Sequence, residues 1–356
     1  MKHSIELPVK FFATGGAERI AYKPIEKLED SLPEKFHPED GLRLNEHKVE
    51  EFSNNEIQVQ PEDVRGHFIV IIHTRSGKVH RGLFELLLLV RAVINAGVDS
   101  KRVLIVFPYM PYSRSDKKDQ SRISVASPFL AEVINNVCGI EKILLIEPHD
   151  SHICEFFRPA AKHLSTKNLF IEFIKREVFE RYSKSDLVFM FPDAGSTKRY
   201  SRIPEKLSLS SAYINKERNG RDVTFKGIVG DIEDKICIFV DDEISSGKTM
   251  LGNAQIAKRK GAKEIISIIT HPILSSKELS SEELMSQLDD SPIDKFVVTD
   301  TVPIRHKIKG REKFSLLSIS GLLSQAINHI ITGNSLSCFY DLKKAQQYYS
   351  PPKVSL

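Results

Sequence analysis

The sequence predicts an α/β protein of two tandem units, each a mainly parallel sheet flanked by helices. Three observations predict it. The strands are apolar throughout rather than alternating, helical stretches separate them, and the same order recurs in both halves of the 356 residues. HFIVIIHT (67–74) reads as a strand, and GLFELLLLVRAVINAG as an amphipathic helix closed by Gly97. VLIVFPYM (103–110) is the next strand, SPFLAEVINNVCG (127–139) a helix, and ILLIEPHD (143–150) a further strand. The second half repeats this: DLVFMFPDAG, then ICIFVDDE, a helix through TMLGNAQIAKRKGA ended by Gly261, then EIISIITH and KFVVTDTVP. The division is expected as 1–162 and 163–356. Residues 23–50, charged and without clear periodicity, read as a surface insertion before the EIQVQ strand (56–60). LSSEELMSQLDDSP (279–292) reads as a solvated helix.

The bulk numbers bound the function. No apolar run approaches the about 20 residues of a membrane span, and MKHSIELPVKFFATGG lacks an apolar signal core, so a cytoplasmic protein with no membrane partner is expected. Cys138, Cys154, Cys237 and Cys338 are scattered without metal-ligand spacing, which favours reduced thiols. A formal net charge of +4 with no long basic tract points to small anionic ligands and away from nucleic acid.

In parallel sheets, ligands sit outside the carboxyl ends of the strands. Four expected strands end in charged or hydroxyl-rich stretches: PYSRSDKKD, EPHDSH, PDAGSTKR and DDEISSGKT. One such turn is ordinary loop chemistry; four at the same ends form a set. SGKT is not the close of a Walker loop. That pattern needs a glycine five positions before Gly247, and Asp242 stands there. Adjacent Asp241 and Asp242 suit a metal or vicinal hydroxyls, because a carboxylate accepts two hydrogen bonds. Ser245, Ser246, Gly247, Lys248 and Thr249 lead into a helix whose N-terminal amides favour an anion. Hydroxyls at one end and a phosphate at the other describe a ribose phosphate.

VDDEISSGKT resembles the ribose-phosphate loop of the phosphoribosyltransferase fold. FSNNEIQVQPEDVRG, PYMPYSRSDKKDQSR, EPHDSHICEFF, PDAGSTKR, INKER, THPI and LSISGLLSQAI extend the resemblance nearly end to end. In that order they resemble the ribose-phosphate pyrophosphokinases, as a divergent member. The resemblance implies two phosphoribosyltransferase-like domains and transfer of diphosphate from ATP to the C1 hydroxyl of ribose 5-phosphate, with AMP leaving. It implies Phe52, Asn54, Glu56, Arg114, Ser115 and Asp119 on the ATP side, and His149 and Asp193 at Mg²⁺ positions. Lys216 and Arg218 would be the catalytic basic pair on a mobile, Gly-flanked loop, and Asp241, Asp242 and 245–249 would hold the sugar phosphate. It implies a homo-oligomer, dimer or hexamer, with the Phe52 loop completing a neighbour's adenine site.

Several positions depart from the family pattern. Asn54-Asn55 replace Asp-Gly, Ser115 replaces Gln, Glu147 changes the Asp-Leu-His motif, VHRG (79–82) replaces an Asn-Asp-Asn run, and the Asp-Thr-Gly-Gly-Thr loop is Ser245–Thr249. Ser245 removes a negative charge and Lys248 adds a positive one. That opens a reading in which the same chemistry acts on a 5-substituted ribose such as ADP-ribose. A non-catalytic regulatory homologue and a phosphoribosyltransferase are the other readings, the last leaving the first unit unexplained.

Overall fold

The computed structural model describes residues 7–75, 77–219, 222–349 and 351, with backbone alone at 194, 216–219, 222–226 and 345. The chain divides into two compact units. The first runs to Ser165 and takes in Thr301–Pro303 and Ile319–Tyr348; the second holds Thr166–Asp300, Ile304–Ser318 and Tyr349.

In the first unit β1 (Val9–Thr14) precedes α1 (Glu18–Glu29), the hairpin β2 (His47–Glu51) and β3 (Ile57–Pro61), β4 (Phe68–His73) and α2 (Val79–Asn95). β5 (Val103–Phe107), α3 (Ala126–Glu132), β6 (Lys142–Ile146) and β7 (Lys162–Leu164) follow. The sheet order is β1-β4-β5-β6-β7, parallel throughout. Every residue of β1, β4 and β5 is buried, so both faces of those strands are covered and the sequence shows no alternation. The strand VKFFAT was absent from the expected elements. Its Lys10 is accommodated by Nζ donating to the Asp63 carbonyl at 2.8 Å.

Residues 23–50 are not a surface insertion. Ile20, Ala21, Pro24, Ile25 and Leu28 form the buried stripe of α1, at helical spacing. The stripe opens before residue 23 and contains a proline, which hides its period from a window begun there. Beyond α1, Leu32, Phe36 and Leu42 are also buried, and Asn45 exchanges hydrogen bonds with Phe11 of β1.

The second unit contains α4 (Lys167–Phe173), β8 (Leu187–Phe191), α5 (Ala194–Tyr200), α6 (Arg202–Leu207), β9 (Ser210–Asn219), β10 (Asp222–Val229) and β11 (Ile236–Ile244). It continues through α7 (Lys248–Arg259), β12 (Glu264–Pro272), α8 (Ser281–Asp289), β13 (Lys295–Thr299), α9 (Arg305–Ile308) and β14 (Phe314–Leu317). The sheet order is β10-β9-β8-β11-β12-β13-β14, with only β9–β10 antiparallel among the described pairs. The chain leaves β8 towards one edge, to β9 and β10, and returns to its other side as β11. Strand order therefore reverses between β8 and β11, the position where open α/β sheets form a ligand crevice. α8 is amphipathic rather than solvated all round: Leu284, Met285 and Leu288 are buried, and a capping box of Ser280 and Glu283 starts it.

The last helix, α10 (Ser320–Ile331), packs against α1, with Asn328 Nδ2 donating to the Ser31 carbonyl at 2.8 Å. Residues 319–348 thus pack with the first unit, across the division expected at 162–163. Among the described residues no helix is long and apolar enough to cross a membrane. All four cysteines are free. Burial pushes the thiol of Cys237 up to about 12 and that of Cys154 up to about 11.

Candidate active-site loops

In the second unit the reversal point is flanked by the residues that follow β8 and those that end β11. Asp193 directly follows β8 and caps α5, its Oδ1 accepting from the Ser196 amide at 2.8 Å while Ser196 Oγ reaches back to the Asp193 backbone. The capping role was not foreseen, although Asp-x-x-Ser before a helix signals it. The acids do not stand after the strand, as expected, but within it. β11 continues through Ile244 because β12 keeps pairing with it, Asp241 opposite Ile269 and Glu243 opposite His271. β8 stops pairing at Phe239, so on that side the acids stand past the neighbouring strand's last partner.

Asp242 is buried and pairs with Arg199 of α5, Nη1 to Oδ1 at 2.5 Å. The burial of Arg199 works against its charge, but Asp242 more than compensates and raises its pKa. Arg199 was not among the expected site residues. Its signal was its place one turn into the helix after PDAG. Among the described residues Asp241 has no such cationic partner. Burial, and then the negative charge of Asp242, push its carboxyl well above the usual range, with Asp193 adding to the effect. The Asp242 amide donates to Asp241 Oδ1 at 2.9 Å.

The loop after β11 turns into α7 at Gly247, whose φ of +74° is the left-handed region. An added Cβ there would also press on Leu288 Cδ2 at 3.1 Å, which the leucine could relieve by a small shift, so the left-handed φ is the main reason for glycine here. Ser245 Oγ donates to the Ser275 carbonyl at 3.1 Å. Gly247, Lys248 and Thr249 stand at the start of a 12-residue helix, where backbone amides point out of the N-terminus.

Lys216 and Arg218 are not in a loop. They lie in β9, opposite Phe225 and Val223 of β10, while their side chains and the flanking Gly220 fall outside the described residues.

In the first unit the tip of the β2–β3 hairpin carries Phe52, Asn54 and Glu56, all exposed. The Phe52 amide donates to the Glu56 carbonyl at 2.8 Å and the Glu56 amide to Asn54 Oδ1 at 3.2 Å. Phe52 and Glu56 line a cleft of about 730 Å³ with Lys78, His80 and Phe84. After β5, Arg114 and Asp119 are exposed. Ser115 stitches its loop to the start of α3: Oγ accepts from the Ala126 amide at 3.0 Å, and its carbonyl accepts from the Ser127 amide at 2.9 Å. After β6, His149 is half-buried, and the Glu147 carboxylate accepts from Ser165 Oγ at 2.9 Å. Asp116, Asp150 and His152 gather beside these residues with one donor atom each inside 4.8 Å of the others.

A family model described as the N-terminal domain of ribose phosphate pyrophosphokinase matches residues 16–138, and a phosphoribosyl synthetase-associated domain matches 214–341. Over 303 residues the chain is 31% identical to ribose-phosphate pyrophosphokinase 3 of Saccharomyces cerevisiae, covering 84% of this chain and 91% of that one. The chain belongs to the ribose-phosphate pyrophosphokinase family. It is 32% identical over 302 residues to the Aquifex aeolicus ribose-phosphate pyrophosphokinase, covering 84% and 92%. The crystal structure of phosphoribosylpyrophosphate synthetase from Mycobacterium smegmatis shares the fold, with a TM-score of 0.77 at 24% identity over 91% of this chain and 98% of that one.

Two departures from the family pattern have physical explanations. Asn55, in place of glycine, adopts φ +67°, which asparagine tolerates better than most residues. Lys248 Nζ pairs with Glu278 Oε2 at 2.5 Å. The extra positive charge thus has an exposed carboxylate partner, and the relatives above are named for ribose phosphate, so the reading with a more negative sugar such as ADP-ribose draws no support. The relatives above are named for ribose phosphate and for the kinase activity, so the non-catalytic reading draws no support either.

Proposed function

We propose that the protein transfers the β,γ-diphosphate of ATP to the C1 hydroxyl of ribose 5-phosphate, giving phosphoribosyl pyrophosphate and AMP. One observation carries the site assignment: the reversal of strand order at β8 and β11 falls beside Asp241 and Asp242 and before the amides at the start of α7. The acids accept hydrogen bonds from ribose hydroxyls, and the residues from Ser245 to Thr249 receive the 5-phosphate. The exposed hairpin tip with Phe52, Asn54 and Glu56, together with Arg114 and Asp119, takes the nucleotide; Ser115 holds the Arg114 loop in place.

Lys216 and Arg218 supply positive charge to the transferring group, since such transfers depend mainly on positioning and charge neutralisation. Asp193, in the second unit, presents an exposed carboxylate beyond its cap, an oxygen donor that suits a magnesium keeping most of its ligands as water and phosphate oxygens. His149, in the first unit, presents a half-buried ring that would hydrogen-bond a magnesium-bound water rather than bind the ion directly. When bound, magnesium would neutralise phosphate charge and orient the diphosphate. The protein works as a homo-oligomer in which the Phe52 hairpin serves a neighbouring subunit.

The test is mass spectrometry of products from ATP, Mg²⁺ and a panel of ribose phosphates. AMP and phosphoribosyl pyrophosphate are expected, with Lys216→Ala lowering kcat by orders of magnitude and leaving nucleotide binding largely intact. ADP as product overturns the reading.

A further inference from the structure

The loop after β5 and the turn after β6 place three side chains together that the reaction above does not use. Asp116 follows the nucleotide-side Arg114 and Ser115, while Asp150 and His152 follow His149. The Asp116 side chain is 2% exposed, and its Oδ2 accepts no hydrogen bond among the described residues. A buried carboxylate oxygen left in that state is costly. It faces His152 Nε2 at 3.4 Å, beyond the 2.7–3.2 Å range of ordinary N–H···O bonds.

The distance suits a different relation. Oxygen and nitrogen donors bind a zinc-class ion at about 2.0–2.2 Å, so two donors on one tetrahedral ion stand about 3.4 Å apart. The rest of the arrangement prepares the ring for that role. His152 Nδ1 lies 2.9 Å from Asp150 Oδ1, which also accepts the His152 amide at 3.2 Å. Phe156 meets the imidazole edge-on, with ring centroids 5.3 Å apart. A carboxylate on Nδ1 fixes the tautomer that leaves the Nε2 lone pair outward, the usual support of a metal-binding histidine. His152 and Asp150 are each a little over 40% exposed, so an ion has a path from solvent and water can complete its coordination.

We infer that Asp116 Oδ2 and His152 Nε2, with Asp150 behind the ring, form a binding site for a divalent cation of the zinc and cobalt class, using side chains other than the proposed magnesium residues His149 and Asp193. An imidazole in the donor set selects against magnesium, which prefers oxygen and octahedral geometry. An ion held there ties the nucleotide-side loop after β5 to the turn after β6.

The test is titration of the full-length, nucleotide-free protein with Co²⁺, followed by its visible absorption and repeated in competition with Zn²⁺ and with Mg²⁺. Wild type takes up cobalt with a ligand-field spectrum that Zn²⁺ abolishes and Mg²⁺ does not. His152→Gln weakens cobalt binding at least tenfold, and Asp150→Asn by about 10–100-fold, as expected for loss of an orienting partner. His149→Gln and Asp193→Asn keep the wild-type spectrum. His152 is partly exposed, so its variant tests the site even if buried Asp116→Asn fails to fold. Equal cobalt affinity in wild type and His152→Gln, displacement by Mg²⁺, or loss of the signal in His149→Gln each overturns the inference.

Discussion

Arg199→Met removes the guanidinium that neutralises Asp242 and leaves a side chain of similar length. Only 21% of the arginine side chain and 9% of the aspartate side chain are exposed, and the contact is 2.5 Å, so this is a buried pair. Deleting one partner of such a pair costs about 3–5 kcal/mol, because the remaining charge stays buried without compensation. The partial exposure of Arg199 argues for the lower end, about 3 kcal/mol, which corresponds to roughly 6–12 °C in Tm for a unit of this size. The assay is urea and thermal unfolding of the single variant, of Asp242→Asn and of the double variant. Arg199→Met/Asp242→Asn recovers most of the loss, since no charge then remains unpaired. Activity does not recover, because Asp242 is gone. A loss below about 1 kcal/mol in Arg199→Met, or strictly additive losses in the double variant, refutes the reasoning.

Asp241→Asn stabilises the protein at neutral pH while impairing turnover. Burial and Asp242 raise the folded carboxyl above its ordinary value of 3.8, so the folded state holds that proton more tightly than the unfolded one. Ionising it costs wild-type stability as pH climbs past the unfolded value, up to the raised folded one. The advantage of the asparagine variant is therefore absent below pH 3.8, grows above it and then levels off; a pH series of urea midpoints checks this, and an advantage greatest in acid contradicts it. Gly247→Ala forces a left-handed φ on a residue with a Cβ and presses on Leu288. It costs about 1–2 kcal/mol and raises the KM for ribose 5-phosphate, and unchanged unfolding and KM together argue against the strained turn. Lys248→Ala leaves the KM for ribose 5-phosphate near wild type, because Glu278 already matches that charge; a large rise in KM would place the lysine on the phosphate instead.

Much of this was legible from residue order. Buried parallel strands write themselves as unbroken apolar runs, and glycines that close helices mark their ends: Gly97 and Gly261 both have positive φ. The loops bearing Arg114, His149, Asp193 and Asp241 stood out as a set, because four such runs end in charged or hydroxyl residues where one alone would be ordinary turn chemistry. The misreadings also have causes. VKFFAT escaped notice because a lysine interrupts it, and only the Asp63 carbonyl explains how that lysine is tolerated. α1 was taken for an excursion because its stripe straddles residue 23 and carries Pro24. Lys216 and Arg218 were assigned to a loop, although the partner strand that holds their backbone begins only at Asp222.

By itself the sequence determined the alternation of strands and helices, the family, and which chemical groups are available, because these depend on local period and motif order. Only tertiary structure decided which strands are neighbours. The reversal between β8 and β11 juxtaposes segments about fifty residues apart, and nothing local encodes it. Only tertiary structure supplied the surroundings that change what a side chain can do: Arg199 neutralises Asp242, burial and then Asp242 raise the pKa of the Asp241 carboxyl, and Glu278 pairs with Lys248. The physical reason is that charge and desolvation act through space over a few ångströms. Their effect on a group is fixed by what folds against it, not by what precedes it in the chain.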